Sequence, residues 1–146
     1  MKKRQGFTLI ELLVVIAIIA LLSTLAVVAL GSARKKANDA KRLSDIKQMQ
    51  TALELYYTDN NEYPTTTASG VTLGSASTAC LNTSGFATAN CADPFMGQVP
   101  SDPGNNAYTY TSTDGTTFSI TATLEAGTAN LNAGTVVASP SGVKNQ

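Results

Sequence analysis

Glu11 is the residue whose placement most needs a chemical explanation. It is a lone carboxylate five residues after Gly6, and the apolar run that follows, Leu12 to Leu30, carries no charge. An acid within a membrane-spanning helix costs about 2.5 to 3.5 kcal/mol on insertion scales, so it persists where a partner or a function offsets that cost. Glu11 therefore asks for a cation that this chain, read alone, does not obviously supply. The second chemical pair is Cys80 and Cys91, the only cysteines. In an oxidising compartment they would pair and close a twelve-residue loop, worth about 2.8 kcal/mol by chain entropy. Two reduced, partly buried thiols are the alternative.

Little else in the 146 residues suggests catalysis. There is no histidine, so the commonest general base and metal ligand is missing. No nucleophile, base and orienting group assemble from the remaining types. The expectation is a chain that is not an enzyme, with no catalytic residue, no cofactor and no metal site. Formal charge is zero but uneven. Residues 34 to 47 hold six bases against Asp39 and Asp45, whereas beyond residue 48 Lys144 faces seven acids. The basic stretch reads as a solvated helix face beside a membrane. The acidic distal part argues against a nucleic-acid grip, leaving only contact through a larger assembly. Asn82-Thr83-Ser84 fits a glycosylation triplet, as do many unmodified loops.

The elements that must position these residues follow from periodicity. Leu12 to Leu30 is nineteen residues interrupted only by Ser23 and Thr24, near the twenty or so that cross a bilayer. Bases flank both ends, so flanking charge alone leaves orientation open. Beyond Gly31, apolar residues recur at steps of three or four: Ala33, Ala37, Ala40, Leu43, Ile46, Met49, Leu53 and Tyr56. This predicts a narrow apolar stripe on an amphipathic helix, with Lys35, Asp39, Arg42, Asp45 and Glu54 largely off it. No proline precedes Pro64, so one helix from Phe7 to about Asn60 is expected, roughly 80 Å long at 1.5 Å per residue. Gly31 is its weakest interior point.

Residues 63 to 107 are expected to form an ordered loop region held by the cysteine link, and 108 to 139 a sheet. Tyr108 and Tyr110 alternate with threonines before Asp114-Gly115, and Phe118, Ile120, Ala122 and Leu124 alternate after it. A three-residue loop, Thr113-Asp114-Gly115 with Gly115 left-handed, would oppose Tyr110 to Phe118 and Tyr108 to Ile120 and give one apolar face. A third strand is expected at Thr135 to Ala138, and a tail from Pro140 to Gln146. The fold class is α+β, a long N-terminal α-helix packed against a small antiparallel β-sheet head.

The string Gly6-Phe7-Thr8-Leu9-Ile10-Glu11, after a leader containing Lys2, Lys3 and Arg4 and before the apolar run, resembles the type IV pilin and type II secretion pseudopilin family. The ending Tyr56-Tyr57-Thr58-Asp59-Asn60-Asn61-Glu62-Tyr63-Pro64 extends the resemblance toward major pseudopilins. It implies a leader of residues 1 to 6, a transmembrane and filament-core helix of 7 to 31, and an amphipathic continuation of 32 to 62. It implies cleavage between Gly6 and Phe7 by a prepilin peptidase, methylation of the new Phe7 amine, and pairing of Glu11 with that amine on a neighbouring subunit. Gly6 suits the cut because an extended backbone without a side chain can enter a cleft.

The chain departs from the family in three respects. Ala26-Val27-Val28-Ala29 lacks the proline that relatives often carry. The cysteines lie mid-chain. Major pseudopilins often bind calcium near the C-terminal loop, but Asp93, Asp102 and Asp114 lack a recognisable ligand spacing and read as turn acids. The resulting expectation is a structural subunit of a type IV pilus-like filament, a single-pass precursor of the cytoplasmic membrane that becomes an extracellular or periplasmic homopolymer. Its partners would be the peptidase and methyltransferase, an inner-membrane assembly platform and the membrane. A type II secretion major pseudopilin is the alternative within the class, and a membrane-tethered or secreted binding module is the alternative outside it.

Overall fold

The structure, a computed structural model, describes residues 6 to 146. The leader residues before Gly6, with their three bases, lie outside the described residues. The chain divides into a first unit ending at Arg34 and a second from Lys35 to Gln146.

One helix, α1 (Leu9–Asn60), runs through both units. It starts two residues later than expected and continues as helix through Gly31. In the first unit, every residue from Gly6 to Arg34 is exposed. Its composition makes α1 the one described helix long and apolar enough to cross a membrane. The Thr24 hydroxyl donates to the Leu21 carbonyl at 2.8 Å, so this polar interruption is satisfied by its own helix and adds no demand for water.

In the second unit, α1 buries Ile46, Met49, Ala52, Leu53 and Tyr56. The sheet strands are β1 (Val71–Thr72), β2 (Cys80–Asn82), β3 (Gly85–Ala87), β4 (Thr109–Thr111), β5 (Ser119–Leu124), β6 (Gly134–Ser139) and β7 (Gly142–Asn145). One antiparallel sheet has the order β1-β4-β5-β6-β7, and β2 with β3 forms a separate hairpin. Alternation along the strands, continued one residue before β4 and β5, sends Tyr108, Tyr110, Phe118, Ile120, Ala122, Leu124, Val136 and Ala138 into the same core as the helix residues. This is the apolar face expected from the alternation, laid on the helix as expected.

Three local expectations are corrected. Tyr110 opposes Ile120 and Thr109 opposes Thr121, a register two residues away from the expected one. A two-residue slip keeps every side chain on its face, so the core is unchanged. The connection opens because it is tied elsewhere: Tyr63 N–H donates to the Gly115 carbonyl at 2.8 Å, and the Ser112 hydroxyl to the Thr117 carbonyl at 2.7 Å. Gly115 is left-handed as expected, with φ 72°. The expected tail is instead β7, which turns back at Pro140-Ser141 and pairs with β6 from Ser139 opposite Gly142 to Val136 opposite Asn145. Finally, Asp39, Arg42 and Asp45 are buried rather than off the stripe, while Ala33, Ala37 and Ala40 are exposed. The reason is the polar partners these three find, described below.

Candidate assembly site and a buried charge cluster

At the start of α1, Thr8 and Glu11 satisfy one another. Thr8 N–H donates to Glu11 Oε2 at 2.8 Å and the Thr8 hydroxyl to the same oxygen at 2.7 Å. Glu11 N–H in turn approaches Thr8 Oγ1 at 3.3 Å. This is a capping box, in which a threonine and a glutamate three residues later occupy the donors that a helix N-terminus leaves free. The carboxylate also sits at the positive end of the helix dipole. Glu11 is thus less orphaned than the sequence implied: it has two donors from Thr8, though no full cation among the described residues.

The apolar residues around it are exposed among the described residues of the first unit. Sixteen large hydrophobic side chains from Phe7 to Leu30 are each at least 47% exposed. At about 1.5 to 3 kcal/mol per buried side chain, an unfavourable exposure of tens of kcal/mol awaits relief by lipid or by other helices. Exposure on every side of a helix, not along one stripe, is what a membrane span or a bundle core requires.

The helix ends on the tyrosine-rich motif. Asn61 takes the left-handed conformation, φ 58°, and its N–H returns to the Tyr57 carbonyl at 2.7 Å, closing the last turn. Tyr63 then folds back: its ring lies 4.7 Å from Tyr57 and 4.8 Å from Phe118, and its hydroxyl donates to Glu54 at 3.0 Å. The Pro64 carbonyl accepts the Tyr110 hydroxyl at 2.8 Å. The motif is therefore a clasp between helix end and sheet.

At the other end of the head lies a cluster that periodicity did not expose. Arg42 donates from Nε to Asp102 Oδ2 at 2.6 Å and from Nη2 to Asp102 Oδ1 at 3.0 Å, a forked pair. Its Nη1 donates to Asp39 Oδ1 at 2.8 Å, and Nη2 lies 2.8 Å from Glu125 Oε1. The side chains of Arg42 and Asp39 are fully buried and that of Asp102 nearly so. Asp39 further accepts three backbone N–H groups, from Glu125, Ala126 and Gly127, at 2.9, 2.7 and 2.9 Å. Asp102 accepts Gly104 N–H at 2.8 Å, so it is the turn acid expected and also a buried ion-pair partner.

Burial pushes the Asp39 carboxyl up, and its backbone donors and Arg42 outweigh that and hold it below the usual range. Arg42 holds Asp102 low against the opposing effect of burial. The Arg42 guanidinium is held above its ordinary value chiefly by Asp102. Gly104 packs closely here: a Cβ would meet Arg42 Nη2 at 2.9 Å, so the guanidinium would have to shift away. Nearby, the Tyr108 hydroxyl donates to buried Asp45 at 3.0 Å.

The remaining bases of residues 34 to 47 are exposed, as expected of a solvated face. Only Arg42 departs. It was legible in principle, because Asp39, Arg42, Ile46, Met49, Leu53 and Tyr56 follow an unbroken three-four spacing.

Cys80 and Cys91 form a disulfide, with Cα atoms 6.3 Å apart. It joins β2 to the segment after β3, which returns to β2 where Leu81 and Met96 exchange backbone hydrogen bonds at 2.9 and 3.2 Å.

The calcium that the family resemblance implies does not fit these residues. A calcium ion takes six to eight oxygens. Among the described residues no cluster of three or more metal-ligating side chains is available to one. The acids that do converge in the head, Asp39, Asp102 and Glu125, converge on a guanidinium already lodged between them.

Comparison with known proteins agrees with this architecture. Residues 29–136 match the family described as type II secretion system (T2SS), protein G. Residues 1–31 match the prokaryotic N-terminal methylation motif. The type II secretion system core protein G of Aeromonas hydrophila is 36% identical over 108 residues, covering 73% of each chain. That of Escherichia coli is 37% identical over 111 residues, covering 73% of this chain and 70% of the relative. The major component of the type IV wide pilus of Thermus thermophilus is 42% identical over 78 residues, 53% of this chain and 60% of that one. No solved structure matches significantly. With its methylation motif, its apolar helix and a matched segment reaching from that helix to β6, the chain belongs to the type II secretion system protein G family.

Proposed function

We propose that the chain is a filament subunit of the major-pseudopilin kind. It is made as a single-pass precursor in the cytoplasmic membrane, cut between Gly6 and Phe7, methylated on the new Phe7 amine, and polymerised through α1. The observation that carries this reading is the first unit of α1: apolar on every side, exposed throughout, and opening on one fixed carboxylate.

Glu11 has a definite part in it. The capping box makes the carboxylate tolerable in the isolated precursor by giving it two donors. Cleavage after Gly6 creates a charged amine, and a neighbour's Phe7 amine supplies a full cation to pair with Glu11. Two opposite charges desolvated together attract strongly, whereas a mis-staggered subunit would leave both buried and unpaired. The pair therefore sets the stagger between subunits. The head stays folded on the filament surface, fixed by the tyrosine clasp and the charge cluster, and an inner-membrane platform feeds subunits into the base.

The family match over residues 29–136 favours a periplasmic filament of a secretion machine. The 42% identity to a wide-pilus component favours a surface pilus as the second reading. Shearing whole cells and probing both fractions for the chain separates them. Retention with the envelope, together with lost protein secretion on deletion, supports the pseudopilus. Recovery in sheared surface fibres supports the pilus, and absence of any polymer contradicts both.

A further inference from the structure

We propose that Arg42 does in this head the work of a bound divalent cation, so that the head is locked without metal. The guanidinium joins three segments of the head. Asp39 lies on α1, Asp102 in the loop before β4, and Glu125 at the end of β5. These segments are distant in sequence, and each presents a carboxylate to one point in the second unit. Without a cation, the mutual repulsion of the three acids would drive these segments apart. A calcium ion would meet the need with a ring of oxygens. Here a planar fork with five donors meets it instead, one edge on Asp102 and the remaining donors on Asp39 and Glu125.

The surroundings match a resident guanidinium. Both oxygens of Asp39 and of Asp102 are committed to Arg42 or to backbone N–H groups. An added dication would have to displace those donors and face a fixed positive charge at contact distance. The backbone of Gly104 approaches so closely that a side chain there would strike Nη2. The loop is thus shaped around the arginine.

This inference concerns the folding of the head and holds whether or not the chain polymerises. The test is thermal unfolding of the full-length protein in detergent, with millimolar calcium chloride or with EDTA. The wild type is expected to unfold at the same temperature in both, within about 1 °C. A calcium-dependent rise of several degrees would overturn the proposal, since ligand binding to the native state raises stability by mass action. Arg42→Ala removes the resident cation and leaves three carboxylates facing one space. It is expected to melt well below the wild type in EDTA and to regain part of the loss in calcium. A variant equally unstable in both conditions would refute the substitution of arginine for a cation. Glu125→Gln, which keeps Arg42 and its two most buried partners, guards against a non-folding Arg42 variant. It is expected to remain calcium-indifferent, and a calcium response there would count against the proposal as well.

Discussion

Thr8 and Glu11 close on each other at the first turn of α1, with the threonine N–H and hydroxyl both directed at Glu11 Oε2, at 2.8 and 2.7 Å. One carboxylate thereby serves two roles that different substitutions can separate. Toward its own chain it caps a helix, and in the proposed filament it would offer a charge to the Phe7 amine of a neighbouring subunit.

Thr8→Ala removes only the first role. Loss of an N-cap side chain costs about 1 kcal/mol, so the helix start should fray while filaments still form at reduced yield. Glu11→Ala or Glu11→Gln removes the charge as well. Peptidase processing, followed by the mobility shift on immunoblots, should remain near wild type, and filament yield should fall at least tenfold. Normal filaments from Glu11→Gln would refute the stagger role.

Asp39 is the most heavily bonded acid of the head. Asp39→Ala should leave three N–H groups and one edge of Arg42 unpaired, and breaking a buried pair this way costs about 3 to 5 kcal/mol. Denaturant unfolding should show that loss as a lower midpoint with an unchanged slope. A loss below about 1 kcal/mol would mean that the cluster is solvated.

The pH dependence follows from the same acids. Asp39 and Asp102 are held below their ordinary values in the fold. Their stabilisation is complete above the unfolded carboxyl value of about 3.9 and is lost as pH falls through the lower folded values. The head should thus hold its stability from neutrality to about pH 5 and lose it steeply below about pH 4. Tyrosines act with the opposite sign. Tyr63 is pushed up to about 12, first by burial and then by Glu54. This contribution is present below about pH 10 and lost as pH rises toward 12. Melting curves across pH check both limbs, and Asp39→Asn should flatten the acid limb.

Reduction of the Cys80–Cys91 link should destabilise the head by roughly 2 to 3 kcal/mol, since the unfolded chain regains the entropy of a twelve-residue loop. The helix and the main sheet should survive in far-UV circular dichroism, because the link lies in the β2–β3 excursion rather than in the five-stranded sheet.

What the sequence made legible was local. The apolar run, the helix stripe from Ile46 to Tyr56 and the alternation around Tyr108 and Ile120 are all short-period signals, and each lies where its period placed it. The hairpin register was not legible, because a slip of two leaves the pattern intact and Gly115 is held by Tyr63 from outside the hairpin. Strand β7 was missed because Gly142 to Asn145 has one apolar residue, Val143, and gains its order from pairing with β6. The burial of Arg42 is illegible for a similar reason. A charge in phase with a core stripe is read as solvated unless its counter-charges are in view, and Asp102 and Glu125 lie far along the chain. At Glu11, the Thr8-to-Glu11 spacing is that of a capping box, a local partner that the cost of a charge in an apolar run overshadows.

The most direct test is the intact mass and N-terminal peptide of the mature protein from the assembled fraction. A chain beginning at a methylated Phe7, with Glu11 retained in the first turn of α1, is the predicted result. A chain beginning beyond the apolar run, or one still carrying Met1 to Gly6 within filaments, would contradict the account.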